Sequence, residues 1–362
     1  MNSWKKAKKI LCVRLDTIGD VLMTTPALRA LKGLGSRPCL TLLTSVRGRE
    51  VGRLIPEVDD VLVYDSPWMK ATERRLDVRA DLDLIARLKA EKFSAAVIFT
   101  VFSQNPLPAA FLCFLAEIPL RLAYCRENPY QLLSDWVPET EPEQQVRHEV
   151  RRQLELVKSI GACVQDERMS LCVPPEAAER VPTILERAGL DLDQPWVVIH
   201  PGASAPSRRY PAERFAEVAA LIHARLGYQV VFSGSASEIE LIEGIREAIS
   251  TPTLSIAGAM DLAELAGLLR LAPLLISNNT GPVHIAAAVG TPVVDLYALT
   301  NPQHTPWGVE NRVLFHEVPC RNCYRSVCPE GHHHCLALVE PLEVVNAAEE
   351  LLHVSALQSR KA

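Results

Sequence analysis

Short apolar runs alternate with amphipathic segments along the whole chain. In the first half, the runs long enough to form buried strands are 10–14, 39–43, 61–64, 95–99 and 120–124. The segments between them carry leucines at helical spacing, as at Leu28, Leu31 and Leu34. Because strands that are apolar on both faces need helices on each side, this alternation predicts an α/β domain with a parallel sheet.

The second half repeats the alternation. Its predicted strands are 196–200, 229–233, 274–277 and 293–297, and its predicted helices are 211–226, 237–249, 261–271 and 282–289. A helix over 146–163 and a proline-rich stretch separate the halves. The sequence therefore predicts two doubly wound domains, 1–175 and 176–340, followed by a C-terminal helix in 341–362 that packs back toward the N-terminal domain. Ligands of this architecture bind at the carboxyl ends of the strands, so we expect a cleft between the two domains.

Composition narrows the possible functions. The chain has 362 residues, of which 48% are hydrophobic, enough for two full cores. A net charge of -5 and an aromatic content of 6% argue against nucleic-acid binding. No apolar run approaches the ~20 residues of a membrane span, and the run after the basic start stops at Arg14, too early for a signal peptide. We expect a cytoplasmic protein, whose N-terminal lysines are either solvated or in contact with the inner face of an anionic membrane.

The turn after the first strand, "RLDTIGDVLMTTPAL", carries two carboxylates and a glycine. Gly19 permits a tight passage from strand to helix and the close approach of a ligand. Asp20 lies at or near the N-cap of a helix predicted to begin at Val21, where it either caps the helix or acts as a cleft carboxylate. Asp16 is either an ordinary turn residue or an acceptor contact.

Two later loops have the composition of anion-binding sites. In "HPGASAPSRRYP", small residues around Ser204 precede Arg208 and Arg209, which suits a phosphate, although a solvated loop is the alternative. In "SNNTGPVHIAAAVG", Thr280 and Gly281 open a helix whose N–H groups can bind an anion.

Single residues in these motifs have two possible roles. His284 is either beside the anion or a packing residue. In "SGSASEIE", Glu238 either binds ribose hydroxyls or favours the helix dipole.

Four of the ten cysteines lie close together in "CRNCYRSVCPEGHHHC". The spacing of Cys320, Cys323, Cys328 and Cys335 is typical of a structural metal site, for which zinc is the candidate metal. Disulfides are not expected in a reducing cytosol. The alternative is a loop of reduced or partly oxidised cysteines.

Taken together, the four motifs and the cysteine-rich stretch resemble glycosyltransferase family 9, the ADP-heptose:lipopolysaccharide heptosyltransferases. The resemblance implies a GT-B fold of two Rossmann-like domains. It implies an inverting transfer of heptose from ADP-heptose to a lipopolysaccharide core or a related lipid-linked glycan, and it implies catalysis without a metal cofactor.

The resemblance also implies roles for particular residues. Asp20 matches the proposed general base of the family. The residues implied to bind the donor are Gly19, Ser204, Arg208, Arg209, Glu238, Met260, Leu262, Asn279, Thr280, Gly281 and His284. Many family members have aspartate where this chain has Asn279, so the donor sugar is heptose or another sugar of a related branch.

Two other functions fit the same architecture: a sugar-nucleotide epimerase and a non-catalytic sugar-nucleotide binding protein. Cofactor binding of the NAD type is disfavoured because no G-x-G-x-x-G follows a strand. Loops 66–75 and 100–107 are expected to shape the acceptor site. The first of them offers Lys70, Arg74 and Arg75 to an acidic glycan, although a solvated surface is equally compatible.

Overall fold

The structure, a computed structural model, describes residues 3–70 and 72–359. The last three residues of the predicted C-terminal helical segment, 360–362, lie outside the described part. The chain divides into two compact units, Met1–Ser170 and Leu171–Ala362. Within the described ranges, none of the helices combines the length and apolarity needed to cross a bilayer.

The N-terminal unit is built on a parallel sheet. Its described strands are β1 (Lys9–Arg14), β2 (Cys39–Thr44), β3 (Asp60–Val63), β4 (Ala95–Ile98), β5 (Leu120–Cys125) and β6 (Asp135–Pro138). They lie in the order β3-β2-β1-β4-β5-β6, so the sheet order reverses between β1 and β4. Strand β6 has no counterpart among the predicted strands, because it is a half-exposed edge strand that ends in proline and carries no continuous apolar run.

The helices of this unit cover both faces of the sheet. They are α1 (Ile18–Met23), α2 (Thr25–Lys32), α3 (Arg49–Arg53), α4 (Arg79–Ala90), α5 (Leu107–Leu115) and α6 (Glu149–Lys158). The prediction that the first helix begins at Val21 is wrong: α1 begins at Ile18, because Thr17 is its N-cap. A second helix starts at Thr25 with Pro26 in its first turn, where the missing N–H is tolerated.

The C-terminal unit repeats the design. Its described strands are β7 (Trp196–His200), β8 (Gln229–Phe232), β9 (Leu254–Ser255), β10 (Leu275–Asn278), β11 (Val293–Leu296) and β12 (Asn311–Leu314). The order is β12-β11-β10-β7-β8-β9, with the reversal between β7 and β10. The short edge strands β9 and β12 were not predicted, because their residues are half-buried and lack an apolar run.

Helices pack on both faces of this sheet as well. They are α7 (Pro175–Arg187), α8 (Ala212–Leu221), α9 (Ile239–Glu247), α10 (Leu262–Leu271), α11 (Gly281–Val289), α12 (His334–Ala337) and α13 (Pro341–Ser359). Helix α13 packs onto α8, β11 and β12 through Val344, Ala348 and Leu351, which belong to the core of its own unit. Its expected contact with the N-terminal domain stays a prediction.

Candidate active site

A cleft of about 540 Å³ opens in the N-terminal unit. Its walls are the segments that follow β1, β2, β3 and β4, which converge because the strands are parallel. Asp16, Asp20, Arg47 and Lys70 all line it. This unit thus places the candidate base in a cleft that has cationic side chains on the same walls.

Asp20 occupies the third position of α1 rather than the N-cap. Its Oδ2 accepts hydrogen bonds from the backbone N–H of Thr17 at 3.4 Å and from the Thr17 hydroxyl at 3.2 Å. The side chain remains 17% exposed. Asp20 therefore helps to cap α1 and also presents its carboxylate to the cleft, so the two sequence interpretations are compatible. Gly19 beside it is buried in α1.

The guanidinium of Arg14, fully buried at the end of β1, lies directly behind Asp20. Its Nη2 is 3.1 Å from Asp20 Oδ1, its Nε is 2.9 Å from Asp16 Oδ2, and its Nη1 is 2.8 Å from Glu149 Oε1. Glu149, at the start of α6, is itself fully buried. Sequence reasoning missed both residues, although an arginine that ends an otherwise apolar strand is a usable signal.

Asp16 links the two loops that flank the reversal of the sheet. Its Oδ1 accepts a hydrogen bond of 2.6 Å from Gln104 Nε2, which follows β4. The pKa of Asp16 is raised to about 6: burial and the charges of Asp20 and Glu149 raise it, while Arg14 and the Gln104 hydrogen bond oppose the rise. Asp16 also lines an additional cavity of about 240 Å³ that shares Trp68 and Gln104 with the cleft.

The basic residues of loop 66–75 have different environments. Lys70 is exposed and lines the cleft. Arg74 is exposed. Arg75 is 2.5 Å from Asp81 and donates to the backbone carbonyl of Asp65, so its guanidinium holds the loop together.

In the C-terminal unit, the predicted donor residues follow β7, β8, β9 and β10 at the carboxyl edge of the sheet. Ser204 is exposed in the loop after β7. Thr280 is the N-cap of α11, and Gly281 is its first residue, so the free N–H groups of the first turn lie at this edge. His284 is buried in the same helix.

The adjacent arginines Arg208 and Arg209 have different environments in the structure. Arg209 is exposed, its Nε donates to the carbonyl of Ala203 at 2.8 Å, and it lines a hollow of about 480 Å³ with Pro201 and His332. Arg208 is near the buried Asp295, whose pKa burial raises well above its usual range while the Asn279 hydrogen bond and Arg208 oppose that rise. The two arginines therefore have different surroundings: Arg209 is exposed at the hollow, whereas Arg208 is close to Asp295.

Asn279 is buried and uses its amide nitrogen inside the unit. Its Nδ2 donates to Asp295 Oδ2 and to the carbonyl of His304, both at 2.9 Å. The neighbouring Asn278 donates to the carbonyl of Pro201 at 2.7 Å and accepts from the N–H of Tyr210 at 2.9 Å. Sequence reasoning missed Asp295, the carboxylate that stands behind Asn279.

Glu238 accepts hydrogen bonds within the turn that follows β8. Its Oε2 accepts from the N–H and hydroxyl of Ser235 at 2.7 and 2.8 Å. A Cβ at Gly202 would collide with this carboxylate, so the glycine is what lets Glu238 approach the loop after β7.

Other groups lie at the same edge. His200, not among the predicted site residues, is 3.1 Å from Ser233 Oγ through Nδ1, and burial lowers its pKa. Met260 and Leu262 are half-buried on either side of Asp261, the N-cap of α10.

The cysteine-rich loop packs behind the loop that carries the arginines. The Ser207 hydroxyl donates to the carbonyl of Arg325 at 2.7 Å, and the N–H of Asn322 donates to the carbonyl of Leu299 at 2.6 Å. All ten cysteines lie in the described part of the chain, and none forms a disulfide. Cys320 Sγ is 3.9 Å from His332 Nε2.

The cysteine-rich loop carries the predicted zinc site. Across residues 3–70 and 72–359, no group of three or more cysteine, histidine or acidic side chains is placed to hold a metal ion. Burial raises the pKa of Cys335, and the neighbouring cysteines Cys328, Cys320 and Cys323 act in the same direction. The predicted zinc site at Cys320, Cys323, Cys328 and Cys335 stays a prediction.

Comparison with known proteins identifies the family. The model of glycosyltransferase family 9, described as heptosyltransferase, matches residues 82–334. The chain belongs to this family. It is a glycosyltransferase, as the resemblance implied, and neither the epimerase nor the non-catalytic alternative is favoured.

Full-length relatives agree with the match. This glycosyltransferase is 25% identical over 353 residues to lipopolysaccharide heptosyltransferase 2 of Escherichia coli, covering 95% of the chain and 98% of the relative. A family 9 structure from Veillonella parvula superimposes with a TM-score of 0.79 at 23% identity, covering 95% and 97% of the two chains. An E. coli heptosyltransferase with ADP-2-deoxy-2-fluoro heptose gives 0.64 at 17% identity, covering 95% and 99%. The predicted two-domain GT-B fold is confirmed.

Proposed function

We propose that this glycosyltransferase transfers heptose from ADP-heptose to the core of lipopolysaccharide or a related lipid-linked glycan, with inversion and without a metal cofactor. The observation that supports the proposal most is the carboxylate of Asp20 in the cleft of the N-terminal unit. The names of the relatives add the substrate: lipopolysaccharide for the E. coli enzyme, and an ADP-heptose analogue for the complex.

In the proposed mechanism, Asp20 acts as the general base. The acceptor hydroxyl loses its proton to the Asp20 carboxylate while its oxygen attacks the anomeric carbon of the heptose. The bond between that carbon and the phosphate oxygen breaks, and ADP leaves with the electron pair. Attack on the face opposite ADP inverts the anomeric configuration.

The donor side must stabilise the negative charge that develops on ADP. The exposed Arg209, Ser204 and the N–H groups of Thr280 and Gly281 are donors suited to a diphosphate. Fixed donors of this kind are each worth about 3 kcal/mol in a transition state. They support the proposal that no metal is needed, since cationic side chains and helix N–H groups supply the positive potential.

The acceptor and the location of the enzyme are proposed from surface charge. Arg47 and Lys70 in the cleft suit an acidic, lipid-linked glycan. Lys5, Lys6 and Lys8 are exposed near the N-terminus and would contact anionic lipid at the cytoplasmic face of the inner membrane.

A donor screen tests the function. The purified protein is incubated with ADP-heptose, ADP-glucose, UDP-sugars and GDP-sugars, with and without a lipopolysaccharide acceptor that lacks the heptose. We expect acceptor-dependent ADP release with ADP-heptose, and NMR of the product should show an inverted anomeric centre. Release from another sugar nucleotide alone, or a retained configuration, would contradict the proposal.

Arg209→Ala is expected to weaken ADP binding about tenfold or more, because a hydrogen bond to a charged group is worth roughly 1.5–3 kcal/mol. Isothermal titration calorimetry with ADP measures the change. Arg214→Ala is the matched control, since Arg214 lies on α8 and forms an ion pair of 2.7 Å with Glu340. Equal ADP affinity in the Arg209 variant and the parent would remove Arg209 from the donor site.

Chelation is expected to leave turnover unchanged. ADP release is measured before and after dialysis against EDTA, with Mg²⁺ and Mn²⁺ added back. A loss of activity that an added cation restores would overturn the metal-independent mechanism. Elemental analysis of the same preparation tests the predicted zinc separately, because a stoichiometric metal that does not affect turnover would be structural.

A further inference from the structure

We propose that Arg14 and Glu149 form a positioning pair for the cleft. In this proposal the Arg14 guanidinium holds Asp16 and Asp20 in place, and the charges of Arg14 and Glu149 together determine how readily those two carboxylates take up a proton. The inference rests on the proposed function, because it assigns Asp20 as the base.

The first argument is geometric. The Arg14 guanidinium contacts three carboxylates: Nη2 donates to Asp20 Oδ1 at 3.1 Å, Nη1 donates to Glu149 Oε1 at 2.8 Å, and Nε lies 2.9 Å from Asp16 Oδ2 as an ion pair without hydrogen-bond geometry. A planar fork of fixed donors can hold several carboxylates at once, whereas a lysine ammonium acts as a point charge. Arg14 thereby fixes the positions of two cleft carboxylates that belong to the turn after β1.

The second argument concerns what holds Arg14. Glu149 is fully buried, and its Oε1 also accepts a hydrogen bond of 2.6 Å from Gln153 Nε2. Gln153 Nε2 in turn donates to the carbonyl of Thr100, after β4, at 3.0 Å. Helix α6 thus anchors the guanidinium from behind and ties it to the segment that also carries Gln104.

The third argument is the charge balance. Among the described residues at this contact, the negative charges of Asp16, Asp20 and Glu149 face the single positive charge of Arg14. The buried cation on α6, Arg152, is 2.6 Å from Glu139. Burial is the main cause of the raised pKa of Asp16; within that environment Arg14 lowers the pKa, and Asp20 and Glu149 raise it.

The other ionisable groups that face the cleft are at its rim. Arg47 and Lys70 are exposed there, Asp65 is on the same wall, and the hydroxyl of Tyr64 is bonded to Asp81. These groups are unchanged in the variants below, so they contribute equally to every pH profile.

Removing the two charges separately tests the proposal. The acid limb of the kcat profile reports the carboxylates that must be ionised for turnover. Arg14→Gln removes a positive charge and should move this limb to higher pH by about one pH unit, because a neighbouring charge shifts a carboxyl pKa by one to three. Glu149→Gln removes a negative charge and should move it to lower pH by about the same amount. KM for ADP-heptose should stay unchanged in both.

A double variant and a control complete the design. Arg14→Gln leaves Glu149 buried without its partner, so this variant can fail to fold. The double variant, Arg14→Gln with Glu149→Gln, removes both charges. Its acid limb should lie close to that of the parent. Arg151→Gln, an exposed change on the same helix, should move nothing. A shift of the acid limb of Glu149→Gln toward higher pH would overturn the proposal. So would an acid limb of Glu149→Gln that coincides with those of the parent and the double variant.

Titration of the carboxyl groups distinguishes failure of the positioning pair from failure of the proposed function. Carbon-13 NMR of aspartate-labelled protein follows the ionisation of the aspartates directly, with Asp16→Asn and Asp20→Asn spectra as assignments. A downward shift of these titrations in Glu149→Gln, reversed toward the parent values in the double variant, would support the charge link even in a chain that transfers no heptose. Unchanged titrations in an active enzyme would refute the positioning pair while leaving the proposed function intact.

Discussion

Asp20→Asn is expected to lower kcat about 100-fold or more, the usual range for the loss of a general base. An amide cannot take the proton of the acceptor hydroxyl, although it keeps an oxygen that can bond to Thr17 and cap α1. Binding of ADP should persist, since the proposed diphosphate donors lie in the C-terminal unit. Steady-state ADP release with acceptor, and calorimetry with ADP alone, measure the two effects.

The matched control is Asp77→Asn. Asp77 also accepts a local backbone hydrogen bond, from the N–H of Arg79 at 2.8 Å, but its side chain is 68% exposed. It should keep the parent kcat. A kcat within twofold of the parent for Asp20→Asn would remove Asp20 as the base. A simultaneous loss of ADP binding would mean that the substitution perturbs more than proton transfer.

Arg152→Ala is expected to lower the free energy of unfolding by about 3–5 kcal/mol, because it leaves buried carboxylates without their partner. Arg152 is fully buried on α6, 2.6 Å from Glu139 and 3.8 Å from Glu141, and its guanidinium packs over the ring of Tyr124 at 4.2 Å. Urea unfolding monitored by tryptophan fluorescence and by circular dichroism measures the change.

The adjacent arginine provides the control. Arg151 is 2.6 Å from Glu167, but the Arg151 side chain is 51% exposed and that of Glu167 is 30% exposed. Exposed ion pairs contribute about 0–1 kcal/mol, so Arg151→Ala should remain within that range of the parent. A loss of equal size in both variants would show that α6 is weakened by the truncation itself rather than by the unpaired buried carboxylates.

The strands were predictable because of how the sheets are buried. Strands covered by helices on both faces are continuously apolar, and each predicted strand agrees with the structure to within one residue at either end. Strands β6, β9 and β12 were missed since they lie at sheet edges, where half-buried residues leave no such run. The start of α1 was missed although the Thr17-x-x-Asp20 spacing is a capping pattern visible in the sequence.

The sequence by itself determined the two α/β units, the loops that carry Asp20, Ser204, Arg209 and Thr280, and the family. These follow from local periodicity and short motifs, which depend on residues near one another in the chain. The tertiary structure alone decided that Arg14 meets Glu149, 135 positions away, and that Asn279 uses its amide on Asp295. Such contacts depend on which segments the folded sheet brings together, and no local pattern of hydrophobic and polar residues encodes that pairing.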